Sequence, residues 1–158
     1  MDRCARVLVV DDDESIRKVL QTVLEEEGYV VETAGDGKEA VGKTKRGFYN
    51  LALIDIRLPD MEGTELLTKM KQTVPRMRKI IMTGYPSLQN AICAVNRNAD
   101  AYVLKPFDMA KVLSTIREQL NKQQEEQRYS QDKVADYIET RVKELETQTT
   151  TTKHTKPS

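Results

Sequence analysis

Short apolar runs alternate with amphipathic stretches along the first 120 residues of the chain. Val7-Leu8-Val9-Val10 is uninterrupted and bounded by acids, the pattern of a strand buried on both faces of a parallel sheet. After it, Ile16, Val19, Leu20, Val23 and Leu24 recur at the three-and-four spacing of one helical face, and Gly28 supplies the stop. A second strand is expected over residues 29–34, rich in Val and Thr, and a weaker helix runs from Asp36-Gly37 through Lys45. Leu51-Ala52-Leu53-Ile54 forms a third strand that ends on Asp55. A helix carrying Leu66, Leu67 and Met70 should follow to about Thr73, with Pro75 closing it.

Two further units complete the pattern. The run Lys79-Ile80-Ile81-Met82-Thr83 predicts a strand, followed by a helix with Leu88, Ala91, Ile92 and Val95 on one side. Ala101-Tyr102-Val103-Leu104 predicts the fifth strand, and Met109, Val112, Leu113, Ile116 and Leu120 the fifth helix. Five strands alternating with five helices imply an α/β fold, a parallel sheet with helices on both faces. Right-handed crossovers make it doubly wound, with the flavodoxin-like strand order 2-1-3-4-5 as a common solution.

Composition narrows the partners. Lys+Arg and Asp+Glu balance at 25 each in 158 residues, so no overall field draws the chain to nucleic acid or an anionic membrane. Cys4 and Cys93 are too few for a disulfide framework or a metal cluster. With no apolar stretch long enough for a signal peptide or a membrane span, the expectation is a soluble, cytoplasmic protein.

In a doubly wound sheet the ligand site lies beyond the carboxyl ends of the strands. Asp11-Asp12 follow the first strand, Asp55 the third, Thr83 the fourth and Lys105 the fifth, so these side chains should converge on one rim. Carboxylates so gathered repel by roughly 1 to 4 kcal/mol per pair at a separation of about 4 Å, and therefore call for a cation. Oxygen ligands without His or Cys suit a hard ion, Mg2+ first. A carboxylate beside that ion, with a hydroxyl and an ammonium nearby, can act as nucleophile toward a phosphoryl group. Singly, each feature has a plainer explanation: Asp12-Asp13-Glu14 as an acidic first helical turn, Thr83 as a strand-end hydroxyl, Lys105 as a surface lysine. Their joint position at successive strand ends favours the site.

At these residues the chain resembles the response-regulator receiver domains of two-component signalling. VLVVDDDESIR at 7–17, LALIDIRLPDMEG at 51–63, IIMTGYPS at 80–87 and ADAYVLKPF at 99–107 carry the resemblance, in order, over about residues 6 to 120. It implies that Asp55 accepts the phosphoryl group from a sensor histidine kinase. It further implies that Asp11 and Asp12 hold Mg2+ together with Asp55 and the backbone carbonyl of Arg57. Thr83 and Lys105 would meet phosphoryl oxygens, Tyr102 would be an aromatic switch residue, and Pro106 would follow a cis peptide. Arg57 and Tyr85 stand where family side chains flank the hydrolytic water, so they bear on the lifetime of the acyl phosphate. Such a protein is a switch that catalyses its own phosphorylation and slow dephosphorylation rather than an enzyme for an external metabolite. Its signal would reshape the face of the fourth helix, fifth strand and fifth helix. A phosphate-independent interaction module and the receiver part of a transcription regulator are the alternatives.

Residues 1–120 thus read as the receiver domain, 121–146 as a helical extension or linker, and 147–158 as a disordered tail. The extension has seven basic and seven acidic side chains through residue 158 and a sparse stripe of Val134, Ile138, Val142 and Leu145. Both a dimerising or partner-binding helix, continuous with the last receiver helix from about 111 to 146, and a solvated linker fit that stripe. No basic stripe or second core accompanies it, which argues against direct DNA binding. His154 has no neighbours that could orient its ring as a ligand or phosphodonor.

Overall fold

The computed structural model describes residues 4–84 and 99–155. Strands β1 (Arg6–Val10), β2 (Val30–Ala34), β3 (Leu51–Asp55), β4 (Arg78–Thr83) and β5 (Ala101–Leu104) form one parallel sheet in the order β2-β1-β3-β4-β5. The described helices are α1 (Glu14–Glu26), α2 (Gly37–Arg46), α3 (Gly63–Lys69) and α4 (Met109–Thr155). The helix expected around Leu88 to Val95, like Tyr85 and Cys93, lies outside the described residues.

The unbroken apolar runs are explained by two cores, one on each side of the sheet. Val7, Val9, Leu51, Leu53 and Met82 pack with Leu20 and Leu24 of α1 and with Val112 and Ile116 of α4. Their neighbours Leu8, Val10, Ala52, Ile54 and Ile81 point the other way, toward Ala40 of α2 and Leu66 and Leu67 of α3. Successive strand residues face opposite sides, so a strand buried on both must be apolar at every position. Each fully buried Leu or Val contributes about 1.5 to 3 kcal/mol, which makes the sheet a rigid base for whatever its rim carries.

Helix ends show where polar residues override the apolar pattern. Asp13 caps α1, its Oδ1 accepting the N–H groups of Ser15 at 2.9 Å and Ile16 at 3.3 Å. The acidic run therefore divides, because capping a helix occupies Asp13 and leaves Asp11 and Asp12 for the rim. At α2, Asp36 accepts from the Glu39 N–H at 2.8 Å while the Glu39 carboxylate accepts from Gly35. The bond from Gly35 is the main reason the Glu39 carboxyl sits below its usual pKa.

The third helix is shorter than its apolar spacing predicts. It ends at Lys69 rather than near Thr73, and Met70 turns extended (φ −75°, ψ 144°) with its side chain in the core. Lys79 on β4 points inward and donates to the carbonyl of Leu67 at 3.1 Å, so a distant ammonium satisfies the helix end. Burial pulls the Lys79 pKa down, with the Asp100 charge opposing that shift.

At the opposite end of the sheet from the rim, polar groups tie α4 to the strands. Buried Gln123 donates from Nε2 to the carbonyls of Asn50 at 2.9 Å and Arg76 at 2.8 Å, and Asn50 returns a bond to Gln123 Oε1 at 3.1 Å. Asp100 accepts from Arg76, Arg78 and the Lys79 N–H in the same region. The chain divides after this clasp into compact units Met1–Gln123 and Gln124–Ser158. In the second unit α4 continues to Thr155, past the residue 146 where the Thr-rich composition leads one to expect it to stop, and the side chains of 128–147 are all exposed. Among the described residues no helix is long and apolar enough to cross a membrane.

Candidate functional site

The rim is assembled from residues that directly follow or end the strands. Asp11, just past β1, is fully buried, and its N–H is held by the carbonyl of Ala34 at the end of β2 at 3.1 Å. Its Oδ1 accepts the Asp13 N–H at 2.9 Å, and its carbonyl accepts Arg17 Nη1 at 2.6 Å. These bonds fix the carboxylate against the floor of the site. Asp12, next in sequence, is exposed, and Asp55 closes β3 at 8% exposure. One oxygen from each of Asp11, Asp12 and Asp55 can be chosen so that all three lie within 4.8 Å of one another.

Lys105 enters this cluster from the end of β5. Its ammonium donates to Asp11 Oδ2 at 2.9 Å and lies 3.4 Å from Asp55 Oδ2. The Lys105 N–H bonds the carbonyl of Thr83 at 2.7 Å, and the Ile56 N–H bonds that of Met82 at 3.0 Å. Parallel ladder geometry thus extends one residue past the strands and carries the functional side chains with it. Thr83 is buried at the end of β4, and the Lys105–Pro106 peptide is cis, as the resemblance implies.

Arg57 is exposed and donates its backbone N–H to Asp55 Oδ1 at 3.3 Å. Its loop folds back through a bridge to Glu62. Tyr102 on β5 is 40% exposed, its ring open to solvent.

Two features of the loop after β3 are not apparent from the sequence. Asp60 accepts the N–H groups of Gly37 and Lys38, each at 2.9 Å, and so caps the start of α2 from across the rim. The Gly37 bond is the first cause of the lowered Asp60 pKa. Gly63 must be glycine, because a Cβ there would lie 2.9 Å from Ile56 Cα and closer still to the Asp55 carbonyl oxygen. The backbone of the nucleophile candidate is therefore packed directly against the first turn of α3.

Burial, reinforced by the Asp11 charge, raises the Asp55 pKa, with Lys105 and the Arg57 N–H opposing. Burial alone would lower Lys105, but its hydrogen bond to Asp11 and the charges of Asp11 and Asp55 outweigh that and hold it above its usual value. A carboxyl whose folded pKa is raised favours the folded state below its unfolded pKa and loses that contribution as pH rises through the folded value. At neutral pH the ionised Asp55 therefore strains the metal-free rim. Without divalent ions, Asp55→Asn should melt at a higher temperature than the parent at pH 7, with the gap closing as pH falls toward the ordinary carboxylate range. Thermal melts of both proteins across that range check this, and an Asn variant of lower stability at pH 7 would contradict it.

The donor set fits a hard cation: three carboxylates, joined by no thiolate or imidazole among the described residues, and an ammonium that offsets only part of the charge.

Comparison with known proteins agrees with this geometry. The family profile described as response regulator receiver domain matches residues 7–117. The crystal structure of a CheY-like receiver domain protein from Methanospirillum hungatei JF-1 is 46% identical, covers 78% of this chain and 99% of its own, and superposes with a TM-score of 0.72. The response regulator TrrA of Thermotoga maritima, solved in complex with Mg(2+)-BeF, is 33% identical over 73% of this chain and 98% of its own, with a TM-score of 0.66. A Salmonella typhimurium relative named as the DNA-binding transcriptional regulator NtrC is 36% identical over 77% of this chain, but only 26% of its own length is matched. The chain spans about half or less of the length of the curated relatives it matches. The sequence-based expectation of no direct DNA binding draws no support from relatives with such names.

Proposed function

The chain belongs to the response regulator receiver domains, and from that premise we propose that it is a switch in which Asp55 takes a phosphoryl group from a sensor histidine kinase. The observation that carries the proposal is the meeting of Asp11, Asp12 and Asp55 within 4.8 Å, with the Lys105 ammonium between Asp11 and Asp55. An Asp55 carboxylate oxygen attacks phosphorus, a P–O bond forms, and the bond from phosphorus to the donor's imidazole nitrogen breaks with its electron pair staying on that nitrogen. With acetyl phosphate the same attack releases acetate.

Asp11, Asp12, Asp55 and the backbone carbonyl of Arg57 would hold Mg2+, which when bound would neutralise phosphoryl charge. Lys105 shifts its pairing from Asp55 to a phosphoryl oxygen, and the Thr83 hydroxyl donates to another. Slow reversal follows when water attacks phosphorus and returns the Asp55 carboxylate and inorganic phosphate. Arg57 stands where side chains of the family flank that path. The protein works in the cytoplasm as a signalling switch, its receiver comprising residues 1–120, with 121–146 as a helical extension or linker and 147–158 as a tail.

Incubation with acetyl phosphate and Mg2+, followed by intact mass measurement, tests the reading: one phosphoryl group should be added, and none in the presence of a chelator. A protein that gains no mass under both conditions would leave the phosphate-independent module as the better account. A second reading, as the receiver part of a transcription regulator, has the names of longer relatives in its favour. A mobility shift of DNA by the phosphorylated chain distinguishes it.

Signalling requires a second conformation with better phosphate contacts, since the modification can populate only a state it binds more tightly. Exposed Tyr102 is the group expected to turn inward as Thr83 approaches the phosphate. Thr83→Ala should still take up phosphate but lose most of the shift of the Tyr102 ring resonances that phosphorylation or beryllofluoride produces. A full shift in that variant would uncouple Thr83 from the switch.

A further inference from the structure

The exposed part of α4 carries an order that a solvated linker does not need. Val134, Ile138, Val142 and Leu145 are 57%, 55%, 47% and 53% exposed, yet all lie on one stripe. With Ala135 added, the positions 135, 138, 142 and 145 alternate steps of three and four, the a-d-a-d seam of a left-handed coiled coil. The opposite f positions are Glu126, Lys133, Thr140 and Thr147, all polar. The helix is continuous through the whole segment, so the seam is unbroken.

The flanks identify the occupant. Taking Ala135 and Val142 as a positions, Arg141 falls at g and Glu146 at the e position five residues on, the two sites that face each other between chains in a parallel pair. In a parallel, in-register pair, Arg141 of each copy meets Glu146 of the other, twice per dimer. In an antiparallel pair the e positions, Glu139 and Glu146, would instead oppose like charges. Val142 at a followed by Leu145 at d is the combination that favours two strands. N-terminal to Ala135 the seam becomes polar at Arg128 and Gln131, which confines the contact to the segment after residue 134.

We infer that the partner of this face is a second copy of the chain, and that residues 135–146 form a parallel, in-register two-stranded coiled coil. With only two apolar heptads, the association is weak and concentration-dependent. Within one chain Arg141 pairs with Glu144 at 2.9 Å and Glu139 with Lys143 at 3.3 Å, exposed pairs worth little enough for Arg141 to exchange its partner on association. The inference concerns the unphosphorylated chain and does not depend on the role given to Asp55.

Sedimentation equilibrium of the full chain, without phosphodonor, tests it. A monomer–dimer equilibrium is expected. Ile138→Asp, at an exposed position that belongs to neither core, should weaken it about a hundredfold or more by burying a carboxylate in the seam. Arg141→Glu should weaken it about three- to tenfold, and Arg141→Glu with Glu146→Arg should restore it. A monomer at every concentration, a larger assembly, a dimer indifferent to Ile138→Asp, or a double variant that fails to recover would each overturn the proposal.

Discussion

Asp55→Asn should take up no phosphoryl group from acetyl phosphate and Mg2+, its mass remaining that of the untreated protein under conditions that modify the parent completely. The amide keeps the size of the carboxylate and the Arg57 N–H bond, which reaches Oδ1 at 3.3 Å, so the fold and the loop after β3 stay in place. What it removes is the anionic oxygen, and a neutral amide is a very poor nucleophile toward phosphorus. The neighbouring carboxylates do not replace it. Asp11 is fully buried, with Oδ1 on the Asp13 N–H and Oδ2 on Lys105, and Asp12 is exposed, whereas the ammonium that must meet the phosphoryl oxygens pairs with Asp11 and Asp55. Uptake at the parental level in the variant would remove Asp55 from the account.

Mg2+ should stabilise the parent markedly and Asp12→Ala hardly at all. Asp11, Asp12 and Asp55 bring three negative charges within 4.8 Å, and Lys105 compensates only one of them. A cation bound only by the folded state adds RT ln(1 + [L]/Kd), about 2.7 kcal/mol when the ion is at a hundred times its Kd. For a domain of this size that corresponds to a rise in Tm of roughly 8 to 11 °C. Asp12 is the exposed member of the three, so removing it relieves repulsion and deletes a ligand without opening a cavity. Melting curves across a Mg2+ series at constant ionic strength measure both effects. An Asp12→Ala variant with the parental response would mean the ion is held elsewhere.

The parts of the fold legible in the sequence are those that burial dictates. Val7 to Val10 and Leu51 to Ile54 reveal themselves because a strand covered on both faces tolerates no polar residue. The rim follows from the same reading, since parallel strands must end on one side and so gather Asp11, Asp55, Thr83 and Lys105. Polar partnerships between distant residues leave no periodic trace. Asp60 reaches Gly37 across 23 positions, Lys79 reaches Leu67 across 12, and Gln123 reaches Asn50 across 73. The early end of α3 at Lys69 belongs to this group, because Lys79 supplies the donor that stops it and an apolar count cannot register that. Asp13 shows the converse case. Position at the strand end and the resemblance already mark Asp11 and Asp12 for the rim, and the cap bonds to Ser15 and Ile16 show what the third acid does instead.

The most direct test of the central claim is the position of the acyl phosphate. Borohydride reduces an aspartyl phosphate to the corresponding alcohol, homoserine, with release of phosphate, and leaves free carboxylates unchanged. The parent protein, phosphorylated with acetyl phosphate and Mg2+, reduced, digested and sequenced by mass spectrometry, should carry homoserine at position 55 alone. Homoserine at Asp11 or Asp12 with Asp55 intact would contradict the account.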